Sequence, residues 1–408
     1  MRVLYYHQHF TTPNGTVGIR SYAMARCLLA RGHQVTMVCG SYVGGDTGLS
    51  ETFNKGVRRG VVDGINVVEF ELPYSNRDAF MKRIIIFLKF AWKSVGFALM
   101  EKYDLIVATS TPLTAGIPGI AATFLRRKPF VFEVRDLWPE LPKAMGVITN
   151  PVVIGWMSIL EWLSYYASRG CIGLAPGIVK GIERRGIRSE RIIMVPNGCD
   201  LDLFSNPSAS EWRPKGVLEN DFMAVFTGTH GIANGLDAVL DTASVLLKRG
   251  RKDIKLVLIG DGKLKPQLML RASEEELTNC IFHPPIPKTL LSGLMKSANV
   301  GLMILSDCPS FYYGTSPNKF FDYIAAGIPV VNNYPGWVAD IITKNECGIA
   351  VSPRDPSAFA DALERLADHP KTILQMGRAG RQLAERDFDR KNLANQWVDF
   401  IERIYTHG

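Results

Sequence analysis

Short runs of apolar and β-branched residues alternate with stretches whose apolar positions recur every three to four residues, in two separate series. Such alternation predicts parallel sheets joined by crossover helices. In the first series strands are expected at 3–6, 34–39, 65–70, 105–108, 130–134, 171–174 and 192–195. Between the first two, a helix over 18–31 sets Tyr22, Ala25, Leu28 and Leu29 on one apolar face and stops at Gly32. The second series opens at 223–227 and continues at 256–259, 280–282, 300–304, 330–332 and 347–351. Helices near 236–249, 265–275, 287–296, 318–326, 356–368 and 371–386 separate its strands. Between the series, 200–220 mixes Asn, Pro, Ser and charge without a period and reads as a linker. The tail, 392–405, is helical, with Trp397, Phe400 and Tyr405 as apolar anchors.

The expected architecture is therefore α/β: two Rossmann-like domains, 1–199 and 200–389, with the last helix, 390–408, packing back on the first. Sheets of this kind bind ligands beyond the carboxyl ends of their strands. If those ends face one another, the ligand lies in a cleft between domains. A length of 408 residues, too great for one ordinary core, fits this division. Hydrophobic residues at 47% and charged residues at 21% exclude a disordered or fibrous chain. A net charge of +8 suits anionic partners, but no dense Lys/Arg run points to nucleic acid. The seven cysteines are scattered and never in CxxC spacing, which argues against a zinc site or a disulfide framework. The opening residues already read as a strand rather than a signal peptide, so a cytoplasmic location is expected. The most apolar stretch, 84–100, is broken by Lys89 and Lys93 and falls short of the roughly 20 residues of a membrane span.

The candidate chemistry lies in the loops. Between the first strand and its helix, Gly15 and Gly18 would let backbone N–H groups approach an anion at a helix N-terminus, and Arg20 would add charge. Neither a GxGxxG nor a GxxxxGK[ST] string is present. The strand at 130–134 ends abruptly in Arg135 and Asp136, followed by Trp138, Pro139 and Glu140. Opposite charges at that end are costly unless paired or used; a structural ion pair is the plainer reading. In the second series, 226–236 holds Gly228, Thr229, His230, Gly231, Asn234 and Gly235 in a tight, donor-rich turn before a helix, which fits a diphosphate. Gly260 and Lys263 follow the next strand in a similar but less specific turn. Finally, Asn318 and Lys319 open a helix after Pro317, with Asp322 one turn on. A cation in a first turn opposes the helix dipole. That violation invites a functional reading, with Lys319 on phosphate and Asp322 on ribose hydroxyls.

In order and spacing these segments resemble family 4 of the retaining glycosyltransferases of GT-B fold. The resemblance runs through Arg31-Gly-His-Gln-Val-Thr, Phe132-Glu-Val-Arg-Asp-Leu-Trp-Pro, Val195-Pro-Asn-Gly-Cys-Asp, Ile259-Gly-Asp-Gly and Asn318-Lys-Phe-Phe-Asp-Tyr-Ile-Ala-Ala-Gly. It is most similar to bacterial members that build O-antigen or capsule units on a polyprenyl-diphosphate carrier. The resemblance implies a nucleotide-sugar donor, UDP-linked, on the second domain and a glycan or polyprenyl-diphosphate-linked acceptor on the first. It implies no cofactor and no metal. Donor binding then falls to Gly15, Gly18, Thr229, His230, Gly231, Asn234, Gly260, Lys263, Asn318, Lys319 and Asp322. Acceptor binding falls to Arg20 and Glu140, and catalysis to Arg135, Asp136 and Lys319. The chain departs from the family's pattern at Thr229 and Asn234, where many members carry Arg and Lys. It departs again at Gly314, in place of a first carboxylate, and at Arg135, in place of a His. Within 81–100, Lys82, Lys89 and Lys93 share a helical stripe beside Phe87, Phe90, Trp92 and Phe97, which fits peripheral contact with a membrane. The rival readings are a nucleotide-sugar epimerase, for which no second acid/base pair is evident, and a non-catalytic nucleotide-sugar-binding protein.

Overall fold

The computed structural model describes residues 1–75, 77–205 and 210–406. Residues 206–209 of the expected linker, and 407–408 of the expected last helix, lie outside the described residues. The chain forms two compact units. The first comprises Met1–Asn197, Gly314–Ser316 and the chain from Lys391; the second comprises Gly198–Tyr313 and Pro317–Arg390. Gly198 and Cys199 thus fold with the second unit, where the Cys199 N–H donates to the Phe388 carbonyl at 2.7 Å. Ser316 folds with the first, because Asn197 donates its N–H to Ser316 Oγ at 2.9 Å and its side-chain amide to the Ser316 carbonyl at 2.6 Å.

The first unit is built on β1 (Arg2–Tyr6), β2 (Gln34–Tyr42), β3 (Val57–Val62), β4 (Ile65–Tyr74), β5 (Leu105–Thr109), β6 (Phe130–Val134), β7 (Gly170–Gly173) and β8 (Ile192–Met194). They form an eight-stranded sheet in the order β3-β4-β2-β1-β5-β6-β7-β8. All neighbours are parallel except β3 and β4. That antiparallel pair was not expected from the pattern. It turns on Asp63 and Gly64, with φ of 49° and 83°, the two positive values that a two-residue hairpin turn requires. From β1 the chain runs first toward β2 and later toward β5, so the strand order reverses between β1 and β5. Right-handed crossovers then place the helix Arg20–Ala30 on one face. They place the helices Phe80–Met100, Ile117–Arg126 and Pro151–Ala167 on the other.

On the first face the helix Arg390–Thr406 completes the core. Its Trp397 packs among Val3, Tyr5, Met24, Leu28 and Val131, stacked on Tyr5 at 5.6 Å between ring centroids. Full burial of a side chain of this class contributes about 1.5–3 kcal/mol.

The second unit holds β9 (Phe222–Thr227), β10 (Ile254–Ile259), β11 (Cys280–His283), β12 (Val300–Met303), β13 (Val330–Asn332) and β14 (Gly348–Ala350). The six-stranded sheet is parallel throughout, in the order β11-β10-β9-β12-β13-β14, with its reversal between β9 and β12. Leu240, Leu258, Leu302 and Leu363 lie in its core. Both units are therefore doubly wound α/β layers, as the alternation of patterns predicts. Among the described residues no helix is long and apolar enough to cross a membrane.

Candidate functional site

In the second unit the crevice beyond β9 and β12 is filled by the loop that follows β9. Its own bonds engage the N–H groups of Gly228, with the Ile259 carbonyl, of His230, with Asp261, and of Asn234, with Gly231. No described acceptor holds the N–H groups of Thr229 and Gly231. The helix Asp237–Lys248 begins just beyond, so its N-terminal dipole adds to a setting that favours an anion. The Asn234 side chain braces the turn by donating to the Thr229 carbonyl at 2.7 Å.

Lys319, in the first turn of the helix Asn318–Ala326, reaches this loop. Its Nζ donates to Asn234 Oδ1 at 2.8 Å and sits 4.3 Å over the Phe226 ring. It forms no ion pair with any described carboxylate. Burial alone pulls the ammonium down from its ordinary 10.5 to about 7. A cation held in this way, at the point where the strand order reverses, is short of one anion.

Asp322 does not share that position and is engaged elsewhere, which departs from the expected ribose role. One turn along the helix it is buried, and its Oδ1 accepts from Lys288 Nζ at 2.8 Å. Lys288 also pairs with Asp200 at 2.7 Å, and Arg390 closes the chain by donating to both Asp200 and the Gly198 carbonyl. Burial pushes the Asp322 carboxyl up and Lys288 opposes it. Burial also opposes ionisation of Asp200, but Arg390 and Lys288 outweigh it and hold that carboxyl at about 2. This network fastens the segment at 198–200 to the second unit. Neither Asp200 nor Lys288 stood out in the sequence, because both lie far along the chain from Asp322.

His230 lies inside the loop and not on its exposed side. Its ring is fully buried between Phe226 and Phe282, with both ring nitrogens unpartnered. Burial, with Lys265 beside it, pulls the imidazole down to about 4, so it is neutral and faces away from solvent. Gly260 acts through backbone approach. A Cβ there would lie 1.8 Å from the Gly228 carbonyl oxygen, at a φ of +150°. Gly260→Ala is expected to displace the loop, lower stability by about 1–3 kcal/mol and weaken any ligand seated on it; a thermal melt with and without nucleotide reads both. Lys263 is exposed at this turn, while Lys265 is tied to the Gly260 and His283 carbonyls at 2.7 and 2.8 Å. Asn318 is half-buried at the start of the Lys319 helix.

In the first unit the loops after β1, β5 and β6, neighbouring strands, gather a second set of polar groups. Arg135 Nη1 donates to His7 Nε2 at 3.2 Å, which leaves the proton of a neutral imidazole on Nδ1. His7 is buried, and Nδ1 has no partner among the described residues. Burial, reinforced by Arg135, holds this imidazole well below its ordinary range. Both amide atoms of Gln8 and the polar atoms Thr12 Oγ1, Thr111 Oγ1 and Trp138 Nε1 are also buried and unpartnered. So many unmet groups at the carboxyl ends of adjacent strands are costly in a bare protein and fit a hydroxyl-rich ligand. Arg135 and Asp136 form no ion pair with each other. Burial pushes the Asp136 carboxyl up against the pull of Arg135. The plainer reading of those two charges, a structural pair, is therefore not realised. Glu140 is exposed at the start of the helix Glu140–Ala144. His7 and Gln8 were passed over in favour of the glycines. Their place directly after a central strand was the available signal.

Arg20 and Gly15 move out of the site. Arg20 is fully buried, donating from Nε to Glu133 Oε2 at 3.0 Å and from its two terminal nitrogens to the Pro196 and Val195 carbonyls at 2.6 and 2.9 Å. Glu133, also fully buried, accepts further from Trp397 Nε1 at 2.9 Å and Thr109 Oγ1 at 3.1 Å. With all three guanidinium nitrogens engaged inside the core, Arg20 is a core tie and not an acceptor contact. Gly15 is buried and spends its N–H on the Thr12 carbonyl at 3.1 Å. Gly18 remains half-buried just ahead of the helix Arg20–Ala30.

Comparison with known proteins agrees with this division. Residues 221–369 match the family model described as Glycosyl transferases group 1, and 15–198 match that of a Glycosyl transferase 4-like domain. A D-inositol 3-phosphate glycosyltransferase of Paenarthrobacter aurescens is 30% identical over 215 residues, covering 50% of each chain. The chain spans about half the length of that relative and of the others of the same description that it matches. Among solved structures, sucrose-phosphate synthase from Thermosynechococcus elongatus superposes with a TM-score of 0.75 at 16% identity, covering 100% of both chains. HepE of Anabaena, solved in complex with UDP-glucose, superposes at 0.69 with 15% identity, over 99% of this chain and 100% of its own.

Proposed function

We propose, from the premise that the chain has the two-domain GT-B fold of glycosyltransferases, that it moves a sugar from a nucleoside-diphosphate sugar to a hydroxyl of a glycan or lipid-linked saccharide. The observation that carries the reading is Lys319, a half-buried ammonium over the glycine loop with no carboxylate partner among the described residues. A diphosphate seated there meets Lys319, the N–H groups of Thr229 and Gly231, and the N-terminus of the helix Asp237–Lys248. As the bond to the anomeric carbon breaks, negative charge grows on the leaving diphosphate. Fixed donors at that position stabilise the transition state more than the ground state. The leaving group departs from the face the acceptor attacks, so the anomeric configuration is retained.

Uridine is the proposed base, supported by the likeness to a structure solved with UDP-glucose. The polar cluster around His7, Gln8, Arg135 and Asp136 orients a polyhydroxylated substrate in the first unit. These unmet hydrogen-bonding groups favour a transferase over a protein that only holds nucleotide. Role in assembling a surface polysaccharide remains part of the same proposal and rests on the sequence resemblance.

The test is a thermal-shift series with UDP, GDP, ADP and their sugars. A nucleotide present at 100 times its Kd is expected to add about 2.7 kcal/mol to stability, a plain rise in melting midpoint. A selective response to UDP and UDP-sugars supports the reading. No response to any nucleotide would remove the diphosphate from the loop.

A further inference from the structure

Three helices on one face of the first unit carry more than half of the exposed large apolar side chains among the described residues. The helix Ile117–Arg126 packs against both Phe80–Met100 and Pro151–Ala167, so the outer sides of all three form one continuous layer. Trp92 is 81% exposed, Trp156 69% and Trp162 42%, with Leu88, Phe124 and Leu125 exposed as well. Isolated apolar residues at a surface are ordinary; a patch of this breadth marks a surface that meets another phase or partner.

Charge selects the occupant. Across the three helices the single acid is Glu161, and it is buried against Arg185 at 2.6 Å. At the borders of the face Lys82 is paired with Asp78 at 2.7 Å and Glu101 with Arg59 at 3.6 Å, which leaves Lys89 on the first helix and Arg127 just after the second as exposed basic charge without an ion pair among the described residues. Lys93, expected on the same stripe, turns inward over the Phe70 ring at 5.5 Å. A second copy of this face would bring like charges together around the apolar patch. Tryptophan and aliphatic side chains flanked by net basic charge are what an anionic bilayer surface accommodates, the rings at headgroup depth and the basic groups against phosphate.

We infer that this three-helix face docks the protein on the surface of an anionic membrane, without crossing it. The surface is wider than the segment 81–100 alone, since Trp156 and Trp162 come from a helix some 60 residues further along. The inference is independent of the donor site, because the assay that tests it contains neither nucleotide nor sugar.

The experiment is flotation of the full chain with vesicles of phosphatidylcholine, with and without a third of phosphatidylglycerol. The wild type is expected to float with the anionic vesicles and to shift its tryptophan emission to the blue. Trp92→Ser combined with Trp156→Ser is expected to lower partitioning about tenfold or more, and Lys89→Glu combined with Arg127→Glu to act in the same direction. Because these side chains are exposed, the melting midpoints should stay close to the wild type, which separates lost docking from lost folding. Absence of flotation with the anionic vesicles overturns the inference. So does a dimer in sedimentation that the two tryptophan changes dissociate, which would assign the face to a second copy of the chain.

Discussion

Arg20→Ala is expected to lower the stability of the first unit by about 3–5 kcal/mol, the cost of leaving one charge of a buried pair without its partner. Arg20 and Glu133 are both wholly out of solvent, so water cannot replace what is removed. The loss is compounded at the Val195 and Pro196 carbonyls, which both accept from the same guanidinium. A domain stable by about 5–15 kcal/mol would lose a large part of its margin. Urea titration monitored by tryptophan fluorescence reads the change as a lower midpoint. Arg2→Ala is the control: it breaks the Arg2–Asp104 pair, 2.7 Å long but open to solvent, and should change stability by about 0–1 kcal/mol. Equal effects in the two variants would show that the buried tie does not hold the unit together.

Lys319→Ala is expected to reduce turnover about tenfold to thousandfold, the range for removing one preorganised donor from a developing charge. If the contact strengthens in the transition state, kcat and kcat/KM fall together; a change in KM alone would move Lys319 to plain substrate binding. Proton linkage gives a second readout. Burial lowers the folded pKa from 10.5 to about 7, so between those values the unfolded chain binds the extra proton. The penalty for the buried ammonium is full below about 7 and fades as pH rises toward 10.5, so this group makes stability increase across that window. A bound diphosphate reverses the trend by drawing the proton back. At mildly alkaline pH, nucleotide binding should therefore take up a proton, seen as a heat that depends on the ionisation enthalpy of the buffer. Lys319→Ala should lose that dependence. A buffer-independent heat in the wild type would sink the assignment.

Local pattern revealed the strands and the chemistry that is itself local. Lys319 was legible because a cation in a first turn contradicts the dipole of its own helix, and the glycine turn at 228–235 because it stands between a strand and a helix. The hairpin of β3 and β4 went unseen although Asp63-Gly64 between apolar runs announces it; β3 is short and carries two arginines, which masks its alternation. What periodicity cannot supply is the identity of distant partners. Arg20 meets Glu133 across 113 positions, and Lys288 meets Asp322 across 34. Each of these residues, taken alone, is an ordinary candidate for ligand binding. Only the packing of strands that neighbour in space reveals that the opposite charge is already in place. The same reasoning runs in reverse for His7: its place just after β1 is its one local mark, and the order of β1, β5 and β6 in the sheet places it where polar groups converge.

The return of the chain to the first unit at Lys391 bears on how the protein is made. Trp397, whose indole N–H closes the hydrogen bonds of Glu133, leaves the ribosome only after the whole second unit has been synthesised. At about 5–20 residues per second, the interval between Asn197 and Lys391 is on the order of 10–40 s. Throughout it the nascent first unit exposes the groove that Trp397 will fill, with the buried Arg20–Glu133 pair open on that side. The unit that begins translation is thus the last to finish folding, and a chaperone that shields apolar clefts would find its substrate there.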